Sequence, residues 1–287
     1  MRPLLFFFFA LLSTTVLAQN QILITNVNIF NGRDEKVVKG NVLIEGNLIS
    51  KISTSPIPTN KSANVTIIDG KGKFLMPGLI DAHVHTMMES IPLQVAMMSD
   101  IGYINLVAAN AARKQLLRGF TTVRDLGGAS FSLKTAIDAG MFDGPRIFPS
   151  GATISQTGGH GDFGLPIDVP RDPSAPLSYM ERSGMTIIAD GDQEVLKRSR
   201  EQLRQGATQI KLMAGGGVSS NYDPLDVAQY SEEEFKAAVL AAENWGTYVA
   251  VHAYTPRAIQ AAIRGGVKCI EHGQLMDEAT AKMMAEK

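Results

Sequence analysis

Apolar and polar positions along the chain change their rhythm near residue 77. Before that point short runs rich in Ile, Val and Asn are broken by turns: Ile22–Ile24, Val42–Glu45, Leu48–Ile52 and Val65–Ile68. These read as strands, with Gly46-Asn47 as a tight hairpin turn between the second and third. A small β-domain over residues 19–76, part of a β-sandwich, is the expectation. From residue 77 the pattern becomes strand, loop, helix, strand, which implies a parallel sheet in an α/β fold. The strands predicted there are 79–85, 121–125, 146–149, 209–213, 248–252 and 268–271.

Boundary signals support the helices between these strands. Ser231 and Glu234 form a capping box ahead of Phe235-Lys236-Ala237, and Gly246 closes that helix. Thr255-Pro256 opens the next, with proline at its first turn, and Gly265-Gly266 ends it. Repeated strand–helix units suit either an open doubly wound sheet or a closed (β/α)8 TIM-type barrel. His85, Lys211, His252 and His272 all fall at or near the ends of different strands, which favours the barrel. An open sheet would gather its site at one switch point. About six strand units are counted over residues 77–287, and the chain stops inside an apparent helix at 283–287, so an incomplete barrel from a longer protein is expected. Residues 155–190, rich in Gly, Pro and Asp, read as one long functional loop.

Composition narrows the classes further. The 287 residues are 45% hydrophobic with a formal net charge of -1 and no basic block, which suits a large core and gives a nucleic-acid surface no electrostatic support. Residues 1–18 resemble a signal peptide: Arg2, an apolar Leu4–Leu12 core, and Val16-Leu17-Ala18 as a cleavage site. Export to the periplasm or beyond is expected, with no membrane span remaining after cleavage. Asn60-Lys61-Ser62 and Asn64-Val65-Thr66 match glycosylation acceptors, a pattern that arises often by chance. The single cysteine, Cys269, has no intrachain partner and reads as a buried structural thiol.

The chemistry concentrates in Pro77-Gly78-Leu79-Ile80-Asp81-Ala82-His83-Val84-His85. Alternation along a strand points His83 and His85 the same way and Val84 the other, so two neutral imidazoles can meet one divalent metal. Lys211 is an ammonium in the apolar run Gln209-Ile210-Lys211-Leu212-Met213. Either its head escapes to solvent, or burial drives its pKa toward neutrality, where the amine can add carbon dioxide to give a metal-bridging carbamate. His252 and His272 each end a further strand. Gly215-Gly216-Gly217 lacks the Lys-Ser/Thr of a phosphate loop and reads as a flexible loop near the site; Ser219–Asp223 are candidates to line the pocket. No serine sits in a nucleophile elbow.

The ordered set His83-Val84-His85, Lys211, His252 and His272, behind the leader Phe74–Asp81, resembles the amidohydrolase superfamily. The resemblance implies a distorted (β/α)8 barrel with a β-sandwich from flanking segments. It also implies a binuclear divalent site, zinc by expectation: His83 and His85 on the more buried ion, carboxylated Lys211 bridging, His252 and His272 on the second. Thr157–Asp162 and Val251–Pro256 are similar to the imidazolonepropionase-related, Xaa-Pro or Xaa-Arg dipeptidase branch. That likeness gives His160 and Tyr254 catalytic, substrate-binding roles, and alternation independently sets Tyr254 on the side of His252. The family's further aspartate, on its eighth strand, has no counterpart here; Asp125 is not a substitute by position and reads as a loop or helix-capping residue.

The implied reaction is attack of a metal-activated hydroxide on an amide or peptide C–N bond, in a dipeptide or N-acyl amino acid. A cyclic amidase or lactonase on the same scaffold is one alternative. A fragment that only binds metal or ligand is the other. The expected partner is a small-molecule or dipeptide substrate, with a homo-oligomer possible.

Overall fold

The computed structural model describes residues 20–59, 64–172, 174–220 and 222–287. The signal sequence expected over 1–18 and the triplet Asn60-Lys61-Ser62 lie outside the described residues. The chain divides into two compact units, Met1–Pro77 and Gly78–Lys287.

In the first unit β1 (Gln21–Ile29), β2 (Val38–Glu45), β3 (Leu48–Ser53), β4 (Val65–Asp69) and β5 (Phe74–Leu75) form one sheet. Its order is β3-β2-β1-β4, with β5 beside the far end of β1. The β2–β3 pair is antiparallel, as the Gly46-Asn47 turn requires, and Gly46 takes the left-handed conformation at φ +61°. A bulge at Thr25-Asn26, with Asn26 at φ +53°, shifts the register of β1. An inserted residue reverses the facing of every later side chain. Leu23 accordingly packs with Leu43 and Ile57, whereas Val27 and Ile29 pack with Val42 in a separate cluster.

The second unit runs β6 (Leu79–Val84), α1 (Leu93–Met98), α2 (Ile101–Leu117), β7 (Phe120–Asp125), α3 (Phe131–Asp138), β8 (Arg146–Pro149) and β9 (Thr153–Ser155). It continues with α4 (Tyr179–Arg182), β10 (Thr186–Ile188), α5 (Asp192–Gln205), β11 (Ile210–Met213), α6 (Glu232–Glu243), β12 (Val249–Ala253), α7 (Pro256–Arg264), β13 (Cys269–His272) and α8 (Glu278–Ala285). All its strand pairs are parallel, in two sheets ordered β6-β7-β8 and β10-β9-β11-β12-β13. The gap between the sheets is stitched where Thr208 N–H donates to Pro149 O (2.8 Å). There the Gln209 amide also donates to Asp125 O and Phe148 O (3.1 and 3.0 Å). Every residue of β11 and β12 is buried, because helices cover a parallel sheet on its outer face and side chains fill the inner one. The capping box of Ser231 and Glu234 starts α6, and Pro256 opens α7.

Two expectations change. The long 155–190 segment is not structureless: it holds a 3-10 turn at Pro166–Asp168, α4 with its own Ser178–Glu181 capping box, and β10. Cys269 is half-buried, its Sγ 3.1 Å from Arg124 Nη1. Of the two roles expected for Asp125, the structure shows the loop one: buried at the end of β7, it accepts from Gly127 N–H at 3.2 Å, and burial pushes its carboxyl up to about 7.

Candidate metal centre

Val84 packs with Val123, Ile147 and the α2 residues Ile104 and Ala108 on the helix-covered face of β6, so its neighbours His83 and His85 emerge together on the opposite side. Their Nε2 atoms lie 3.3 Å apart. Two metal–nitrogen bonds of roughly 2.0–2.1 Å at a tetrahedral angle span about that distance. His83 Nδ1 is 2.8 Å from Glu271 Oε2, so its proton sits on Nδ1 and its Nε2 lone pair is turned toward His85. His85 is half-buried, its pKa pushed down to about 3 by desolvation and then by the Lys211 charge. It is neutral and able to donate a lone pair at any ordinary pH.

Lys211 is 1% exposed between Ile210 and Leu212, which settles its two readings in favour of burial. It has no hydrogen-bonding or ion-pairing side chain among the described residues, and desolvation lowers its pKa to about 8 against the opposing pull of Glu271. A buried amine that is readily neutral and unpartnered has the chemistry that carbamate formation requires.

His252 ends β12 and donates through Nε2 to Gly216 O at 2.9 Å, which leaves Nδ1 as its free lone pair. Burial, followed by the neighbouring His160 ring, depresses it to about 2. His272 closes β13 at φ +74°, a left-handed conformation seldom taken by a non-glycine residue and concentrated at functional sites. Its ring centroid is 4.8 Å from that of His83 and 4.6 Å from that of His252; the residue is exposed, and partial desolvation lowers its pKa to about 4.

The structure thus brings His83, His85, Lys211, His252 and His272 to one cavity of about 160 Å³. Among the described residues no three His, Cys, Asp or Glu side chains form a ready cation cage. The cavity nonetheless gathers four imidazoles and one buried amine, donor types that suit divalent ions. The residues present fit a divalent pair by this chemistry.

His160 and Tyr254 line the same cavity. The Tyr254 ring packs edge-on to His252 and stacks with His272, at 5.0 and 5.2 Å between centroids. His160 stacks on His252 at 4.0 Å and bonds Ser220 Oγ through Nδ1, which directs Nε2 elsewhere. Its backbone N–H donates to Gln229 Oε1 (3.1 Å), and Gln229 holds Asp223 at 2.9 Å. Asn221 lies outside the described residues.

The triple glycine lies in the expected loop near the site and serves close approach there. A Cβ on Gly217 would stand 1.9 Å from His160 Cε1, and one on Gly216 would stand 1.8 Å from Pro224 O. Gly217→Ala should therefore displace His160 and lower kcat/KM by roughly 10²-fold, with metal content unchanged. Steady-state kinetics with metal analysis on one preparation checks this.

Sequence reasoning missed Glu271, Arg124 and Gln229; of the Ser219–Asp223 stretch it named as pocket lining, Ser219 lines the cavity while Ser220 and Asp223 stand behind His160 and Gln229. The first two carried a signal, each being a charge within a short apolar strand. A second cavity of about 660 Å³ adjoins the same loop through Thr157, Gly158 and Asp162, and none of the seven predicted site residues lines it.

The amidohydrolase family profile matches residues 74–287. The chain belongs to the amidohydrolase family. It is 37% identical over 220 residues to an ochratoxinase of Aspergillus niger, covering 74% of this chain and 46% of that protein. A solved prolidase complexed with N-methylphosphonate-L-proline superposes with a TM-score of 0.84 at 41% identity, over 93% of this chain and 64% of that one. A Xaa-Pro dipeptidase with methionine in its active site gives 0.77 at 32% identity, with coverages of 93% and 64%. The chain spans about half the length of the curated amidohydrolase relatives it matches first.

Proposed function

We propose that this amidohydrolase is a metal-dependent hydrolase of amide C–N bonds, acting on dipeptides or N-acyl amino acids. The observation that carries the reading is the convergence of four histidines and a buried lysine, from β6, β11, β12 and β13, on one small cavity. Prolidase, Xaa-Pro dipeptidase and ochratoxinase relatives support the substrate class. Closure of the parallel strands into a (β/α)8 barrel, a sandwich built on the first unit, and export directed by residues 1–18 belong to the same proposal.

His83 and His85 would hold one ion, His252 and His272 the other, with Lys211 between them as a carbamate. When bound, such a pair supplies Lewis acidity and a nucleophile at neutral pH. The chain's own groups do the rest. Glu271 and Gly216 O fix the tautomers of His83 and His252. Tyr254 presents a phenol to the cavity, a hydrogen-bond donor for the charge that develops on the amide oxygen. His160, neutral because burial lowers its pKa, presents a second polar edge held by Ser220. The apolar walls of β11 and β12 keep bulk water from the lysine. Proton delivery to the leaving nitrogen is assigned to no residue of this chain.

The test is metal analysis of the full-length protein with a screen of Xaa-Pro and other dipeptides, N-acyl amino acids and cyclic amides. Two equivalents of zinc with dipeptide turnover is the expected result. Turnover confined to cyclic amides would move the substrate class, and bound zinc without any turnover would reduce the protein to a binding module.

A further inference from the structure

His83 leaves β6 at a strand end, where nothing in the backbone dictates the direction of its ring. Its partner comes from the far side of the second unit: Glu271 on β13, 188 residues later, is 6% exposed and takes His83 Nδ1 at 2.8 Å through Oε2. β6 and β13 share no backbone pairing among the described residues, so this contact is made by side chains alone. The other carboxylate oxygen, Oε1, is gripped by Arg124 Nη2 at 2.6 Å. Arg124, from β7, also donates through Nε to Ala82 O at 2.7 Å, the carbonyl just before His83. Its Nη1 reaches Tyr248 Oη (3.2 Å) and Cys269 Sγ (3.1 Å), which fixes the guanidinium within the interior. One carboxylate thus joins an arginine that clamps the β6 backbone to an imidazole on the same strand.

We propose that Glu271 is a positioning residue for the metal centre, setting the Nδ1–H tautomer and ring direction of His83, with Arg124 holding the carboxylate in place. The inference rests on the proposed metal chemistry for its consequence. The physical basis is general: the second ring nitrogen of a ligating histidine is held by an acceptor that fixes which nitrogen keeps the lone pair, and loss of that acceptor costs 10- to 100-fold in metal affinity. A carboxylate neutralised by an arginine can be buried there at acceptable cost, whereas a lone one could not.

Two readouts on the full-length protein decide it. In metal-free protein, 15N-edited imidazole spectra should show His83 as the Nδ1–H tautomer, and Glu271→Ala should replace that signal with the mixture of a free imidazole. Zinc affinity of the same variant should fall by roughly 10- to 100-fold with the circular dichroism spectrum retained. Glu271→Gln keeps an acceptor for Nδ1–H, so it should preserve the tautomer and lose less affinity than Glu271→Ala. Arg124→Met, which leaves the His83–Glu271 bond possible, should lower thermal stability more than zinc affinity. Unchanged zinc affinity in Glu271→Ala, or an unchanged His83 tautomer, would overturn the proposal. If that variant fails to fold, wild-type zinc affinity in Glu271→Met, which fills a similar volume without an acceptor for Nδ1–H, would do the same. The two readings fail separately: a wild-type protein that binds no zinc yet shows the Glu271-dependent tautomer refutes the metal chemistry and leaves the control of His83 intact.

Discussion

Lys211→Ala should abolish binuclear metal loading and reduce amide turnover by at least about 10³-fold, the scale on which losing a group that acts only in the assembled site is felt. Among the described residues no other side chain stands ready to replace it: the amine is buried between Ile210 and Leu212 with no hydrogen-bonding or ion-pairing neighbour. Truncation leaves a void, but it also relieves the burial of an amine that no side chain pairs, so the fold should tolerate the change even as the site fails. The carbamate chemistry gives a sharper check. Adding a short carboxylic acid such as propionate with zinc should restore part of the activity of Lys211→Ala. Retention of two metals by the variant without such an acid would remove Lys211 from the bridging role.

The second large effect is expected from chelation. Stripping divalent metal at neutral pH should abolish turnover while the protein stays folded, and zinc should restore activity. The empty site survives because its imidazoles are neutral: His85, His252 and His272 sit at about 3, 2 and 4, all depressed first by desolvation. Acid is where the metal-free form should weaken. In the unfolded chain these histidines take up protons near their usual value of 6.5, whereas the folded state refuses them until far lower pH. The neutral burial of His252, and in part of His85, is therefore fully tolerated above about pH 6.5 and costs increasing stability as pH falls from there toward 4. The exposed His272 adds little because solvent screens it. Thermal melts of chelated protein across pH 4–8 should fall steadily on the acid side. A flat profile would mean that His252 and His85 are not buried.

How much of this was legible beforehand differs from residue to residue. Strand alternation in Leu79–His85 was sufficient to turn His83 and His85 together, because a period of two is a local property of the backbone. The same reasoning set Tyr254 beside His252. Capping chemistry at Ser231–Glu234 and Pro256 located helix starts for the same local reason. The bulge at Thr25-Asn26 escaped it, since nothing in Ile24-Thr25-Asn26-Val27 by itself marks where register is lost. The strands Thr153–Ser155 and Thr186–Ile188 escaped as well; each is three residues long and exists only because β11 offers β9 an edge, and β9 offers one to β10.

The amino-acid order alone specified the types of donor and the rhythm of the elements that carry them: paired imidazoles, a lysine in an apolar strand, and parallel units with helices between. It could do so because side-chain direction, capping and burial preference are settled within a few residues. Only the folded chain decided which groups the donors lean on. Glu271 against His83, Gly216 O against His252, and Ser220 against His160 are partners 188, 36 and 60 residues away in sequence. Contacts of that separation are fixed by how sheets curve and loops pack, and no local pattern encodes them.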